Sequence, residues 1–105
     1  MLGFLKNVLG MGPAADFPAL IAQGALILDV RSPGEFSGGN IKGSKNIPVQ
    51  SLPSRLAELR KGKPVITCCA SGVRSATAKR ILEAAGFPEV HNGGGWRSLQ
   101  GRLQA

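Results

Sequence analysis

The chain has 105 residues, with 13 Lys and Arg against 6 Asp and Glu, and so a formal net charge of +7. That length fits one domain, which should bury roughly 65% of the surface its unfolded chain exposes, enough for a core without disulfide or metal staples. Hydrophobic residues at 43% argue against disorder, the scattered Lys and Arg with only 5% aromatics argue against nucleic acid, and no apolar run approaches the ~20 residues of a membrane span.

Residues 1–12 (MLGFLKNVLGMG) form a short N-terminal segment, and 13–105 read as a single domain. Lys6 interrupts the apolar stretch, so a secretory signal does not fit. Phe4, Leu5, Val8 and Leu9 fall at helical spacing, which suits a short helix or arm packed on the domain better than a membrane contact. Asp16 to Gln23 predicts a short helix, with Asp16 as N-cap, Pro18 in the first turn and Gly24 as the stop. Ala25 to Val30 (ALILDV) is a short, nearly all-apolar run, as expected of a strand buried on both faces. Ser32-Pro33-Gly34 breaks it, and Ile41 to Val49 predicts a further strand ending at Pro48.

Leu52, Leu56 and Leu59 share one helical face and predict a helix from Leu52 to Leu59. Pro64 to Cys68 predicts a second buried strand, and Ser75 to Ala85 a helix stopped by Gly86. Glu89 to His91 suits a short last strand, after which Gly93-Gly94-Gly95 leads into a final helix with Trp96 and Leu99. Strands alternating with helices predict an α/β layered domain with a mostly parallel sheet.

The chemistry concentrates in Val65 to Ser75, VITCCASGVRS. A buried strand ends at cysteine, a Gly-containing turn follows, and a helix begins after Arg74. In open α/β sheets, sites form at the carboxyl ends of strands, where helix N-termini offer unpaired N–H groups. A tight turn from Cys69 to Arg74 points several backbone N–H groups inward as an anion nest. Gly72 permits positive φ, Ser71 is small enough to let the backbone curl, and Arg74 closes the rim as a cation. A free thiol is only ~3% thiolate at pH 7, and a helix N-terminus beside an Arg lowers its pKa. Period-2 alternation turns Cys68 away from its neighbour, so Cys68 reads as core and Cys69 as the nucleophile.

At these residues the sequence resembles the rhodanese family of small α/β sulfurtransferase domains. Cys69-Ala70-Ser71-Gly72-Val73-Arg74-Ser75 is similar to its C-x-S-G-x-R-S loop, and Leu28-Asp29-Val30-Arg31 with Glu35-Phe36 to its L-D-V-R-x-x-x-E-F segment. Gly39-Asn40-Ile41, Gly43-Ser44 and Asn46-Ile47-Pro48 resemble G-H-I-x-G-A-x-N-I-P, and Gly94-Gly95 with Trp96 the Gly-rich turn near the family's end. The resemblance implies a three-layer fold with helices flanking a central, mostly parallel sheet. It also implies that Cys69 accepts sulfane sulfur from an anionic donor such as thiosulfate. The resulting persulfide passes its sulfur to a thiol, including a protein thiol, or to cyanide. The backbone of Ala70, Ser71, Gly72, Val73, Arg74 and Ser75 would cradle the donor, with Arg74 attracting its charge. Asp29, Arg31 and Glu35 would brace the sheet edge beneath the loop. Asn40 stands where the family usually has histidine, which touches only a local hydrogen bond. His91 reads as satisfied or exposed rather than catalytic.

Two alternatives remain open at this point. Counting from Cys68 leaves five residues before Arg74, the C-x5-R-S spacing of cysteine phosphatases that share this fold, although Thr67 replaces the His many of them carry. A non-catalytic interaction module is the other, which the retained Cys69 disfavours. Two adjacent cysteines cannot staple distant segments, and no second Cys or His group stands at metal-ligand spacing. A reduced thiol in the cytoplasm, with no metal or cofactor, is therefore expected.

Overall fold

The structure is a computed structural model and describes residues 15–104; the expected N-terminal segment 1–12 lies outside them. Asp16 caps α1 (Phe17–Ala22), its carboxylate accepting from the Ala19 N–H at 3.1 Å, as the sequence predicts. β1 (Leu26–Asp29), β2 (Lys45–Asn46), β3 (Val65–Cys69) and β4 (Val90–Gly95) form one sheet in the order β2-β1-β3-β4, with all three pairings parallel. Helices α3 (Val73–Ala84) and α4 (Trp96–Gln104) complete the α/β domain.

The core divides across this sheet. On one face Leu28, Val30, Val65 and Cys69 pack with Leu52, Ala78 and Leu82; on the other Ile27, Ile66 and Cys68 pack with Phe17, Leu20 and Leu99. Pleating of β3 alone sends consecutive residues into the two layers, because strand side chains alternate. Both layers are closed by helices, which explains the nearly unbroken apolar runs of β1 and β3. Helices therefore flank the parallel sheet on both sides, giving the expected three layers.

Three elements ahead of β3 differ from the sequence expectation. Ser32-Pro33-Gly34 does not merely break the chain: it opens α2 (Pro33–Ser37), where Ser32 and Glu35 form a capping box with Pro at the start. The predicted strand Ile41–Val49 shrinks to Lys45–Asn46, since a turn with Ser44 N–H bonded to the Ile41 carbonyl occupies its first half and Pro48 cannot donate to a ladder. The predicted helix Leu52–Leu59 is instead two 3-10 helices, Val49–Ser54 and Leu56–Glu58. Pro53 lies inside the first and removes the N–H an α-helix would need. Leu52 and Leu59 still reach the core, so the apolar spacing is honoured by a tighter winding.

Candidate active site

Cys69 is the last residue of β3 and is 1% exposed, with its sulfur at the foot of the turn that leads into α3. Gly72 sits at the helix N-cap with φ +104°, in the left-handed region that glycine adopts without a Cβ clash. This reversal turns the chain back over the strand end. The Gly72 N–H then donates to Cys69 Sγ at 3.0 Å and the Ser75 N–H at 3.3 Å, while Ser75 Oγ stands 3.5 Å from the sulfur. Burial pushes the Cys69 thiol up, but the Ser75 hydroxyl and the N–H groups of Ser75, Gly72 and Ser71 outweigh it, leaving the thiol below its ordinary range. The expected nest of N–H groups is thus present, and it points at sulfur.

Cys68 has the opposite environment. It is fully buried in the other layer, and burial, then the Asp29 carboxylate, push its thiol up to about 12. It cannot serve a loop that lies on the far side of its own strand. The five-residue spacing from Cys68 to Arg74 is therefore a coincidence of adjacent cysteines, and Thr67 beside it is structural, donating from its hydroxyl to the Ser75 carbonyl at 2.9 Å.

Of the remaining loop residues, Ala70 and Ser71 are exposed and Val73 is 73% exposed, an apolar side chain held in water at the rim. Arg74 differs from expectation. Its guanidinium reaches α2 and binds Glu35 bidentately at 2.7 and 3.0 Å, instead of curling over the turn. Arg74 and then the Ser32 N–H hold the Glu35 carboxyl down at about 2. Beneath it, Arg31 and Asp29 form a buried pair at 2.7 Å, and Arg31 also donates to the carbonyls of Glu35 and Gly39. Its guanidinium carbon lies 4.7 Å from the centroid of the Trp96 ring. The bracing expected of Asp29, Arg31 and Glu35 is what these bonds do: they tie α2 to the end of β1 and to the loop arginine.

Asn40 donates to the Phe36 carbonyl at 2.9 Å, a local bond within that segment, and His91 meets Glu89 at 2.9 Å on β4, away from the sulfur's bonds. β4 itself contributes more than the sequence revealed. The strand expected to end at His91 runs on through Gly93-Gly94-Gly95, and its pairing with β3 slips by one residue so that Gly95 lies opposite Cys69. Such bulges re-aim side chains next to sites. At Gly95 a Cβ would stand 2.9 Å from the Ala70 carbonyl oxygen, so only glycine allows the loop to settle against the strand. A cavity of about 580 Å³ opens beside Ala70, lined also by Gly95, Trp96, Arg97 and Glu35. The one polar side chain of β4 in the network, Asn92, bonds both Ser75 and the Gly94 N–H. A polar residue just before a glycine run was the only sequence trace of it.

A parallel sheet that delivers one thiol into a nest of N–H groups at a helix N-terminus defines a cysteine-loop α/β domain. The profile described as "Rhodanese-like domain" matches residues 13–101, and the chain belongs to that family. Among curated proteins it is 35% identical over 80 residues to the thiosulfate sulfurtransferase GlpE of Stutzerimonas stutzeri, covering 76% of this chain and 73% of that one. It is 30% identical over 98 residues to the thiosulfate sulfurtransferase PspE of Escherichia coli, covering 91% and 92%. It is 42% identical over 82 residues to the uncharacterized protein YqhL of Bacillus subtilis, covering 77% of this chain and 65% of YqhL. Among solved structures, a rhodanese with anions from E. coli aligns with a TM-score of 0.67 at 32% identity, over 70% of this chain and 89% of that one. No helix among the described residues is long and apolar enough to cross a membrane.

Proposed function

We propose that the chain is a single-domain sulfurtransferase that moves sulfane sulfur from an anionic donor such as thiosulfate through a Cys69 persulfide. The observation that carries this reading is the Cys69 sulfur held at 3.0 and 3.3 Å by the N–H groups of Gly72 and Ser75. These donors favour the thiolate, the form that attacks. The Cys69 thiolate attacks the outer sulfur of thiosulfate; a new S–S bond forms, the donor's own S–S bond breaks, and sulfite leaves with the electron pair. A thiophilic acceptor, a thiol or cyanide, then attacks the terminal sulfur and releases Cys69 as thiolate. A protein acceptor would approach the loop at the cavity beside Ala70.

The N–H groups of the Ala70–Ser75 turn suit an anionic donor, because they carry partial positive charge at the start of α3. The E. coli rhodanese described with anions supports the same chemistry here, as do the relatives named thiosulfate sulfurtransferases. The Arg74–Glu35 pair stands at the rim, so Arg74 draws the donor with part of its charge already matched. Two adjacent cysteines with no distant partner suit a reducing compartment, and we assign the chain to the cytoplasm.

The test is thiocyanate formation from thiosulfate and cyanide by wild type, Cys69→Ser and Cys68→Ser. Loss in the Cys69 variant alone is the expected result, with intact mass showing one added sulfur on Cys69 after donor treatment. Equal activity in all three would refute the assignment.

A further inference from the structure

Ser75 is fully buried, and its single hydroxyl proton has three acceptors within reach: Asn92 Oδ1 at 2.7 Å, the Gly72 carbonyl at 3.0 Å and Cys69 Sγ at 3.5 Å. A hydroxyl donates once and a carbonyl accepts twice. The Gly72 carbonyl already receives the Ala76 N–H at 3.1 Å and Asn92 Nδ2 at 3.4 Å. The amide orientation of Asn92 is fixed, since the Gly94 N–H at 2.9 Å can face only its oxygen. That oxygen keeps one lone pair free, and it makes the shortest of the three contacts. The proton therefore rests on Asn92, and Ser75 turns a lone pair toward Cys69, where the thiol S–H donates to it.

Ionisation reverses this arrangement. Once the sulfur has lost its proton, the Gly72 and Ser75 N–H groups still donate to it, and the Ser75 hydroxyl can add a third donor only by swinging away from Asn92. That swing exchanges the 2.7 Å bond for a longer one to an anion.

We propose that Asn92 is a positioning residue for the nucleophile: it competes with the Cys69 sulfur for the Ser75 proton and thereby sets how readily the thiol ionises. This rests on the reading of Cys69 as the nucleophile. Charged and titratable side chains on the elements around the sulfur stand in pairs. From α3 and α2 there is Arg74 paired with Glu35, from β1 and the residues just after it Asp29 paired with Arg31, and from β4 His91 paired with Glu89. None of them bonds to Ser75 or Asn92, so the Ser75 hydroxyl is the one side-chain group that reaches both the sulfur and Asn92.

The experiment titrates thiolate absorbance near 240 nm in the full chain, with Cys69→Ser as blank. The chain has no Tyr to interfere, and the Cys68 thiol, pushed up to about 12, stays silent. Asn92→Ala removes the competitor, so the midpoint should fall, giving about threefold more thiolate on its acid side. Asn92→Asp keeps the shape but adds a charged acceptor, so the midpoint should rise, giving about tenfold less. In a Ser75→Ala background Asn92→Ala should do nothing. A residue that merely braces the loop would raise the midpoint in both variants, and that outcome overturns the proposal, as does an Asn92→Ala effect that survives without Ser75. Asn92 is exposed; should Asn92→Ala melt early, Asn92→Leu, which retains the bulk, carries the same expectation. Because the readout needs no sulfur donor, a failed sulfur transfer with these shifts intact would count against the enzymatic assignment alone.

Discussion

Arg31→Met is expected to cost about 3–5 kcal/mol of folding stability, the range for removing one partner of a buried ion pair. The structure shows where that cost arises. Asp29 and Arg31 are 0% and 4% exposed. Asp29 Oδ2 is bonded only by the Arg31 side chain, at 3.0 and 2.7 Å, whereas Oδ1 also accepts the Arg31 backbone N–H. Methionine would leave Oδ2 charged, buried and without a donor, and would strip the Gly39 carbonyl of its 2.7 Å bond. A lost buried acceptor alone is worth about 1–3 kcal/mol, and the stranded charge adds the rest. For a domain of this length the total should lower Tm by roughly 15–20 °C. Thermal melts by circular dichroism, with urea titrations at 25 °C, measure it. The double variant Asp29→Asn/Arg31→Met should recover a large part of the loss, because the penalty lies in the unmatched charge rather than in the missing attraction. A single-variant cost below about 1 kcal/mol, or a double variant no better than the single, would refute this reasoning.

Gly95→Ala should cut sulfur transfer by about tenfold to a hundredfold with a smaller effect on Tm, because its Cβ would meet the Ala70 carbonyl at 2.9 Å and push the loop off the strand; steady-state kinetics beside a thermal melt separates the two effects. Gly72→Ala should cost about 1–2 kcal/mol, since φ +104° is strained for any residue with a Cβ, and a urea midpoint unchanged from wild type would contradict it. Glu35→Gln frees Arg74 and should lower KM for thiosulfate severalfold at low salt, an advantage that fades toward 1 M salt as screening shortens to about 3 Å. The same substitution tests acid stability. The folded Glu35 titrates at about 2, below its unfolded value of about 4.3. Its contribution is therefore complete above that unfolded value and lost as pH falls through the folded one. Urea midpoints for Glu35→Gln should accordingly fall less steeply than those of wild type across that window.

Much of this architecture was legible because local and global signals agreed. The apolar runs of β1 and β3 have no polar side to misread, and Asp16 with Gly24 brackets α1. The loop was legible for a further reason: Cys69, Gly72 and Ser75 act through their positions along the chain, which spacing preserves. What failed to show were features whose cause lies across space. Arg74 pairs with Glu35 from another element, and the spacing that marked it as a rim cation holds no trace of that partner. Gly95 meets Ala70 across space, which its own neighbours do not show, so the triple-glycine run read as the link into the final helix when it is the end of a strand. The 3-10 segments fell between templates: Leu52, Leu56 and Leu59 satisfy a helical period, but the winding starts earlier, at Val49, which places Pro53 inside it rather than in a first turn.

If Cys69 carries sulfur as proposed, the pleat that separates Cys68 from Cys69 also bears on where that sulfur can go. A dithiol site resolves its own persulfide: the second thiol attacks, a disulfide closes, and sulfide departs. Here the only other cysteine in the chain faces the opposite layer, with its thiol pushed up to about 12. A sulfur loaded on Cys69, as proposed, would find no second thiol on its own face of the sheet and would wait for an external acceptor. On the proposed function, the strand would make the domain a carrier whose unloading depends on which acceptor reaches the loop.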